Sequence, residues 1–492
     1  MATSRSSTAS DPAAARAHPL ALWESWGGLR SVVVATLAHL AILASGLPLL
    51  GILFLVWRIP PARKLLGPLW LAALLVVPAA VLWAMLRERG GHTYKVLGLI
   101  ALGYGLQLGL GFSEGRGIDG LRDNMVRGVH ASFAVAAGRQ ENAVDVIRRY
   151  ESLVASGELG PFAASKPPGV MLLYMATQKL SSLVDPQPTP ELRTERLRTF
   201  AAWLWPLCAY LVLLPLYFFA RPLIGPDASL LACMLYVLVP AVQLMPLHTD
   251  QTFFPALHTA SALATAHAFL RRSTLAPILT GGWLWVSAFC SFPMGLGAGF
   301  GLAAAYGLAG RDGRPELDLR QLARTSALIV ATLLSIQLAF ALWLDYDVLH
   351  RYAAAMDYNY RWQKWDGSFP RAVFWALHNF VTIALVFGLP LTLTAALGIA
   401  QSLGKLQRRV AQPADYVAAT LLAVLVFLSV FGNVKTEVFR IWIFVVPMLC
   451  LVAADRLWTR FTAWRGRAIA TVLLLEGLTT LFMKAFSDMA SR

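Results

Sequence analysis

The chain has 492 residues, 57% of them apolar and only 14% charged, and carries a formal net charge of +15. That balance excludes an ordinary soluble domain and reads as a polytopic all-α membrane protein. Cys208, Cys233, Cys290 and Cys450 each stand inside an apolar run, so no disulfide framework follows. The basic residues sit in short loops between hydrophobic runs, as topology signals do, which argues against nucleic acid as a partner.

In chain order, residues 1–30 form a Ser-, Ala- and Arg-rich tail with no short apolar region and cleavage site ahead of the first run, so no cleaved signal peptide is expected. Apolar runs follow at 31–57, 68–86, 95–113, 199–220, 226–245, 251–270, 274–292, 295–309, 323–344, 371–402, 415–432, 437–454 and 467–485. At roughly 20 residues per crossing they predict about 13 transmembrane helices. The run 295–309 is short and glycine-rich, suited to close helix packing or to part of a bent helix. The organisation expected is a cytoplasmic tail (1–30), two additional N-terminal spans (31–94), a membrane core (95–455), and a basic loop with the last span (456–492).

If the segment 114–198 lies outside, the loops bearing Arg87, Arg89 and Lys95, Arg271 and Arg272, Arg311 to Arg324, Lys405 to Arg409, and Arg456 to Arg467 all face the cytoplasm, as the positive-inside rule asks. The loop RIPPARK, 58–64, disagrees. Three pieces then face outward: 114–198, a turn near 246–251, and 345–370. The first is long for so tightly looped a chain, which marks it as functional. Its patterns DGLRDNMVRGVHASFAVAAG and ENAVDVIRRYESLVASG predict helices lying on the membrane surface.

The chemistry-bearing residues gather on that side. Glu114, Asp119 and Asp123 follow directly after a span, where a half-desolvated carboxylate serves as general base or cation ligand; acids at a helix start are also simply favoured by the dipole. In SKPPGVMLLYMATQKL, Lys166 stands before Pro167 and Pro168 at the mouth of an apolar helix too short to span comfortably. There a lysine either reaches a lipid phosphate, with the helix N-terminus helping, or snorkels. His248 and Asp250 precede a span, with Asp250 read as an N-cap; a His-x-Asp pair is weak evidence for metal. Glu437 and Arg440 lie one helical turn apart and are placed to neutralise each other, while His258, His267 and Glu476 inside runs read as packed or cavity-facing. The loop 345–371, with Arg351, Tyr358 and Arg361, mixes aromatic and planar hydrogen-bonding groups that suit a sugar ring, although an aromatic belt explains the same rings.

The order of these features resembles the GT-C superfamily of membrane glycosyltransferases, especially the branch with protein O-mannosyltransferases and lipid A aminoarabinose transferases. The features that carry the resemblance are an acid after an early span, a long outer loop, Lys166-Pro167-Pro168 against the family's HKPPL, the connector Arg221-Pro222-Leu223-Ile224-Gly225, Thr249-Asp250 at a helix start, and Arg440-Ile441-Trp442-Ile443-Phe444 with Pro447. It runs from about residue 95 to 450, in short motifs. The adjacent Asp-Glu pair of that branch is absent, and Ser165 replaces its histidine. The resemblance implies a sugar donor carried on a polyprenyl phosphate, an envelope lipid, glycan or protein as acceptor, inverting displacement on the non-cytoplasmic face of an inner membrane, a first-loop carboxylate as base (Asp119, then Asp123), and Lys166 on the lipid phosphate. Some relatives use a divalent cation, but no cluster here has metal-ligand spacing. The competing readings are a secondary transporter, which would place its charges near the membrane midplane in both halves, and an O-antigen polymerase or ligase working through outer-loop arginines such as Arg351, Arg361 and Arg371.

Overall fold

The structure, a computed structural model, describes residues 19–45, 68–87, 91–113, 115–125, 131–244, 248–311, 316–365, 367–431, 434 and 438–486. Every regular element among them is helical, as the composition predicts. The tail 1–18, the RIPPARK loop, Glu114 and Glu437 lie outside the described residues.

Helices α1 (Pro19–Ser45) and α2 (Pro68–Arg87) precede α3 (His92–Phe112). The long segment after α3 then folds into short helices, α4 (Gly117–Asn124), α5 (Ala131–Arg139), α6 (Ala143–Arg148) and α7 (Tyr150–Ala155), followed by a 3-10 turn at Pro161–Ser165 and by α8 (Gly169–Val184). Local chemistry fixes their starts. Asn142 accepts the backbone N–H of Val144 at the head of α6, and Thr189 accepts that of Leu192 at the head of α9 (Pro190–Tyr210), with Pro190 in the first turn where its missing N–H costs nothing.

The chain continues through α10 (Leu213–Ile224), α11 (Pro226–Leu238), α12 (Pro240–Leu244), α13 (Thr249–Thr252), α14 (Phe254–Leu270), α15 (Leu275–Cys290) and α16 (Gly297–Leu308). Every residue of α11 from Ala228 to Leu238 is buried, which is the expectation for a helix without a polar face. It forms the centre of the bundle, against α3 and α10. Helix α16 is the short glycine-rich run. A Cβ on Gly297 would sit 2.4 Å from the carbonyl of His258, and one on Gly301 would sit 2.4 Å from that of Ala262, so only glycine lets α16 lie this close to α14.

The remaining helices are α17 (Leu319–Leu344), α18 (Val348–Trp362), α19 (Phe369–Val386), α20 (Leu389–Gln407), α21 (Pro413–Phe431), α22 (Val438–Ile441), α23 (Val446–Arg460) and α24 (Arg465–Phe486). Asp318 caps α17 and Asp347 caps α18 through backbone N–H groups of the first turn. Leu334, Leu338 and Leu342 of α17 are exposed, as lipid contact requires of a membrane helix. The single run read over 371–402 divides into α19 and α20. Gly388 turns the chain there at φ +94, a left-handed conformation that side chains resist, and the buried Glu476 of α24 accepts the N–H of Leu391 in the first turn of α20.

Six described stretches are long and apolar enough to cross a membrane: His92–Phe112, Pro190–Ile224, Leu319–Leu344, Phe369–Val386, Pro413–Phe431 and Thr462–Phe486. Of the other expected spans, 31–57 lies partly outside the described residues, and several others take the form of shorter helices, with prolines such as Pro240 and Pro255 opening new helices inside the apolar runs, so the six stretches do not confirm the expected total of thirteen. The four cysteines are unpaired.

Candidate active site

The Lys-Pro-Pro element is held in place from two sides. Lys166 is extended, as a residue before proline prefers, and follows the 3-10 turn directly. Tyr150 of α7 donates its hydroxyl to the carbonyls of Ala163 and Lys166 at 3.2 and 3.1 Å. Arg351 of α18, only 2% exposed, donates to the carbonyl of Ala164 at 2.6 Å and to the Glu151 carboxylate at 2.9 Å. On the far side Gly169 opens α8, and a Cβ there would lie 2.3 Å from the carbonyl of Phe289 on α15. The glycine that departs from the family's HKPPL is therefore demanded by a backbone contact.

So fixed, Lys166 points its Nζ at Asp250 Oδ1, 3.3 Å away. Asp250 is 1% exposed, and its other oxygen lies 3.5 Å from Nε of Arg440, which is 10% exposed. One buried carboxylate thus joins two cations from distant parts of the chain. Asp250 is not the N-cap expected of it: His248 occupies that position, and the Asp250 carboxylate, in the first turn of α13, faces inward instead. The partner expected for Arg440, Glu437, lies outside the described residues; among the described residues Arg440 pairs with Asp250.

Burial alone would raise the Asp250 carboxyl, but Lys166, Arg440 and His248 outweigh it and hold it below the usual carboxylate range. Burial, then Arg440, pushes the His248 imidazole down to about 3, against the opposing pull of Asp250. His248 is therefore neutral near pH 7, and Lys166, Arg440 and Asp250 together leave the cluster with one net positive charge. Its floor is aromatic: Tyr174 of α8 packs edge-on to Trp205, and Trp205 to Phe253. The hydroxyls of Thr249 and Thr252 are buried there without a hydrogen-bond partner among the described residues.

The acids after α3 occupy a separate place. Asp119 is exposed in the first turn of α4 and pairs with Arg122 at 3.2 Å, which also reaches Glu195 of α9 at 3.0 Å. Asp123 pairs with Arg116. Helix α4 packs on α3 and α9, and α9 also touches α13, so one helix underlies both the acids and the Asp250 cluster. In the late loop, Arg361 pairs with Asp357 on the exposed face of α18, and Tyr358 stacks on Trp362. His258, read as a packed residue, lies buried between Phe300 and Phe444.

Sequence reading singled out Lys166, Asp250 and Arg440 one at a time; the structure brings them together. It missed Tyr150 and Glu151. Neither has a local signal, because their role is to hold a turn that follows them and a helix 200 residues away. No group of three metal-ligating side chains occurs among the described residues.

No protein-family model and no curated protein matches the chain. The chain is similar to solved structures of the oligosaccharyltransferase from Archaeoglobus fulgidus, AglB. The complex of that protein with zinc and sulfate matches at 16% identity and a TM-score of 0.49, over 80% of this chain and 53% of the other. The apo form matches at 16% identity and 0.49, over 81% and 56%. The complex with an inhibitory peptide and a dolichol-phosphate matches at 14% identity and 0.49, over 81% and 56%. The chain thus spans about half the length of these proteins.

Proposed function

We propose that the chain is an integral membrane glycosyltransferase that moves a sugar from a polyprenyl-phosphate donor to an envelope lipid, glycan or protein acceptor by inverting displacement. The observation that carries this reading is the triad of Lys166 with the buried Asp250 and Arg440, with its net positive charge, at the end of the bundle where the long first loop folds. A leaving polyprenyl phosphate gains negative charge as the bond from the sugar's anomeric carbon to phosphate oxygen breaks. Cations already in place lower that barrier without reorganising, and more so where water is excluded. Asp250 itself never meets the donor in this scheme. It holds two mutually repelling cations at one point, and Tyr150 and Arg351 fix the turn from which Lys166 reaches out.

The acceptor hydroxyl attacks the anomeric carbon from the face opposite the phosphate, and its proton goes to a carboxylate. Asp119 is assigned that role, with Asp123 second, because both stand on the helix that follows the first core span. Arg351 is a poor candidate for direct ligand binding, since it is committed to Glu151 and to the Ala164 carbonyl. The test is release of polyprenyl phosphate from a synthetic polyprenyl-phosphate sugar by the purified protein. Asp119→Asn should abolish release while the protein still folds; turnover near that of the wild type would remove Asp119 from the mechanism.

A further inference from the structure

At the other end of the bundle a second cluster of cations lines a cavity. Helix α21 separates the two ends by roughly 28 Å, at 1.5 Å per residue: Asp415 in its first turn receives Lys405 at 3.1 Å, while Phe431 at its end leads toward Arg440. Between the C-terminal turns of α20 and α23 lies a cavity of about 520 Å³, and Lys405, Arg408, Arg456 and Arg460 line it with no carboxylate in its wall. Two carboxylates sit behind that wall, Asp415, which holds Lys405, and Asp455, which lines the adjoining pocket with Lys405 and Arg456, so the four cations outnumber them by two.

Cations at helix C-termini are ordinary, because they complement the dipole, and basic loops on one membrane face are ordinary topology signals. Neither explains Arg456. It stands a turn inside α23 and lines the cavity, with its Nη1 tied to α20 by the Leu397 carbonyl at 3.3 Å and Gln401 Oε1 at 2.9 Å. A Cβ on Gly28 of α1 would lie 3.5 Å from its Nη2, so α1 closes the other side. Arg456 and Arg460 are four residues apart, on one face of one helix, where like charges repel. Burial and then Arg460 both push the Arg456 guanidinium below its ordinary value. An anion among these side chains would relieve the crowding, and planar guanidinium groups match phosphate oxygens two at a time.

We propose that this cavity binds a phosphate-bearing anion, as presented by a phospholipid headgroup of the leaflet opposite the Lys166–Asp250–Arg440 cluster or by free phosphate. The site is independent of the transferase reading, since it shares no residue with that cluster. Basic pockets between helices at a membrane surface are suited to anionic headgroups.

The experiment is titration of the purified full chain in neutral detergent with phosphatidylglycerol, phosphatidylcholine or inorganic phosphate, with bound lipid counted by native mass spectrometry. The variants are Arg408→Gln and Arg460→Gln, which leave the bonds of Arg456 intact. The control is Arg271→Gln with Arg272→Gln, an exposed basic pair at the same end of the bundle. The expected result is saturable binding of one phosphatidylglycerol, weakened at least about tenfold in each cavity variant, the effect of losing charge-assisted hydrogen bonds, and unchanged in the control. Competition by inorganic phosphate would assign the site to phosphate itself; lack of competition would assign it to the lipid. Binding that never saturates, or that falls equally in the control, would reduce the cluster to diffuse surface charge and overturn the proposal.

Discussion

Asp250 is almost wholly buried between two cations, so the three side chains cannot be altered independently. Removing one partner of a buried ion pair leaves the other charge unpaired, at about 3–5 kcal/mol. Lys166→Ala should fall toward the low end, near 3 kcal/mol, because Arg440 remains beside the carboxylate. Asp250→Asn should cost more, since it leaves two cations facing each other. Thermal unfolding in detergent would order them, and an Asp250→Asn protein as stable as Lys166→Ala would contradict the shared-carboxylate geometry. His248 adds a dependence on pH. Its folded value of about 3 lies below the unfolded value near 6.5, so the unfolded chain binds the extra proton between those limits. Stability is full above pH 6.5 and falls as pH drops toward 3. His248→Gln should flatten the melting-temperature profile between pH 6.5 and 4.5; an unchanged slope would show that His248 does not stay neutral in the fold.

At the scale of elements, the turn Pro161–Ser165 and the head of α8 are clasped between α7, α15 and α18. The approach of Gly169 to the Phe289 carbonyl leaves no room for a methyl group. Gly169→Ala must move backbone, and should destabilise by about 2–3 kcal/mol, in the range of overpacked cores; a protein as stable as the wild type would show that α8 and α15 part easily. Arg351→Lys keeps the charge but loses the forked reach to both Glu151 and the Ala164 carbonyl. It should raise the donor KM more than it lowers kcat, as expected where positioning rather than chemistry is lost. Arg351 also marks a limit of reading the sequence. A conspicuous arginine among aromatic residues is indistinguishable, on the page, from one that meets a sugar. Its actual partners precede it by 187 and 200 residues, and no local pattern reports contacts of that range.

For the whole molecule, the features legible in the sequence were those written in composition and period: an all-helical membrane architecture, a long first loop segment built of short helices, and a glycine-rich helix packed face to face with its neighbour; the late segment, read as a loop, is instead the helix α18. Continuous apolar runs were less informative about helix ends. The run 371–402 was read as one although Gly388 and Pro390 punctuate it, and the break they mark is where the Glu476 carboxylate of α24 accepts the N–H of Leu391. The same holds for the site. Lys166, Asp250 and Arg440 were each visible as charges out of place near apolar segments, yet their convergence belongs to tertiary packing, in which α8, α13 and α22 meet at one end of the bundle. Lys166, Asp250 and Arg440 gather at one end of the bundle, and the one acid in the middle of α24, Glu476, accepts a backbone N–H of α20, a placement unlike the central charged sites in both halves that a transporter calls for.

The central claim is that the Lys166–Asp250–Arg440 cluster receives the phosphate of a polyprenyl lipid. The most direct measurement is mass spectrometry of the protein extracted in mild detergent, scoring co-purified polyprenyl phosphate in the wild type and in Lys166→Ala, with Lys166→Arg to retain the charge. The account predicts bound lipid in the wild type, its loss in Lys166→Ala, and at least partial retention in Lys166→Arg. Equal lipid in the wild type and a folded Lys166→Ala would contradict it, and would return Lys166 to the role of an ion-pair partner for Asp250 alone.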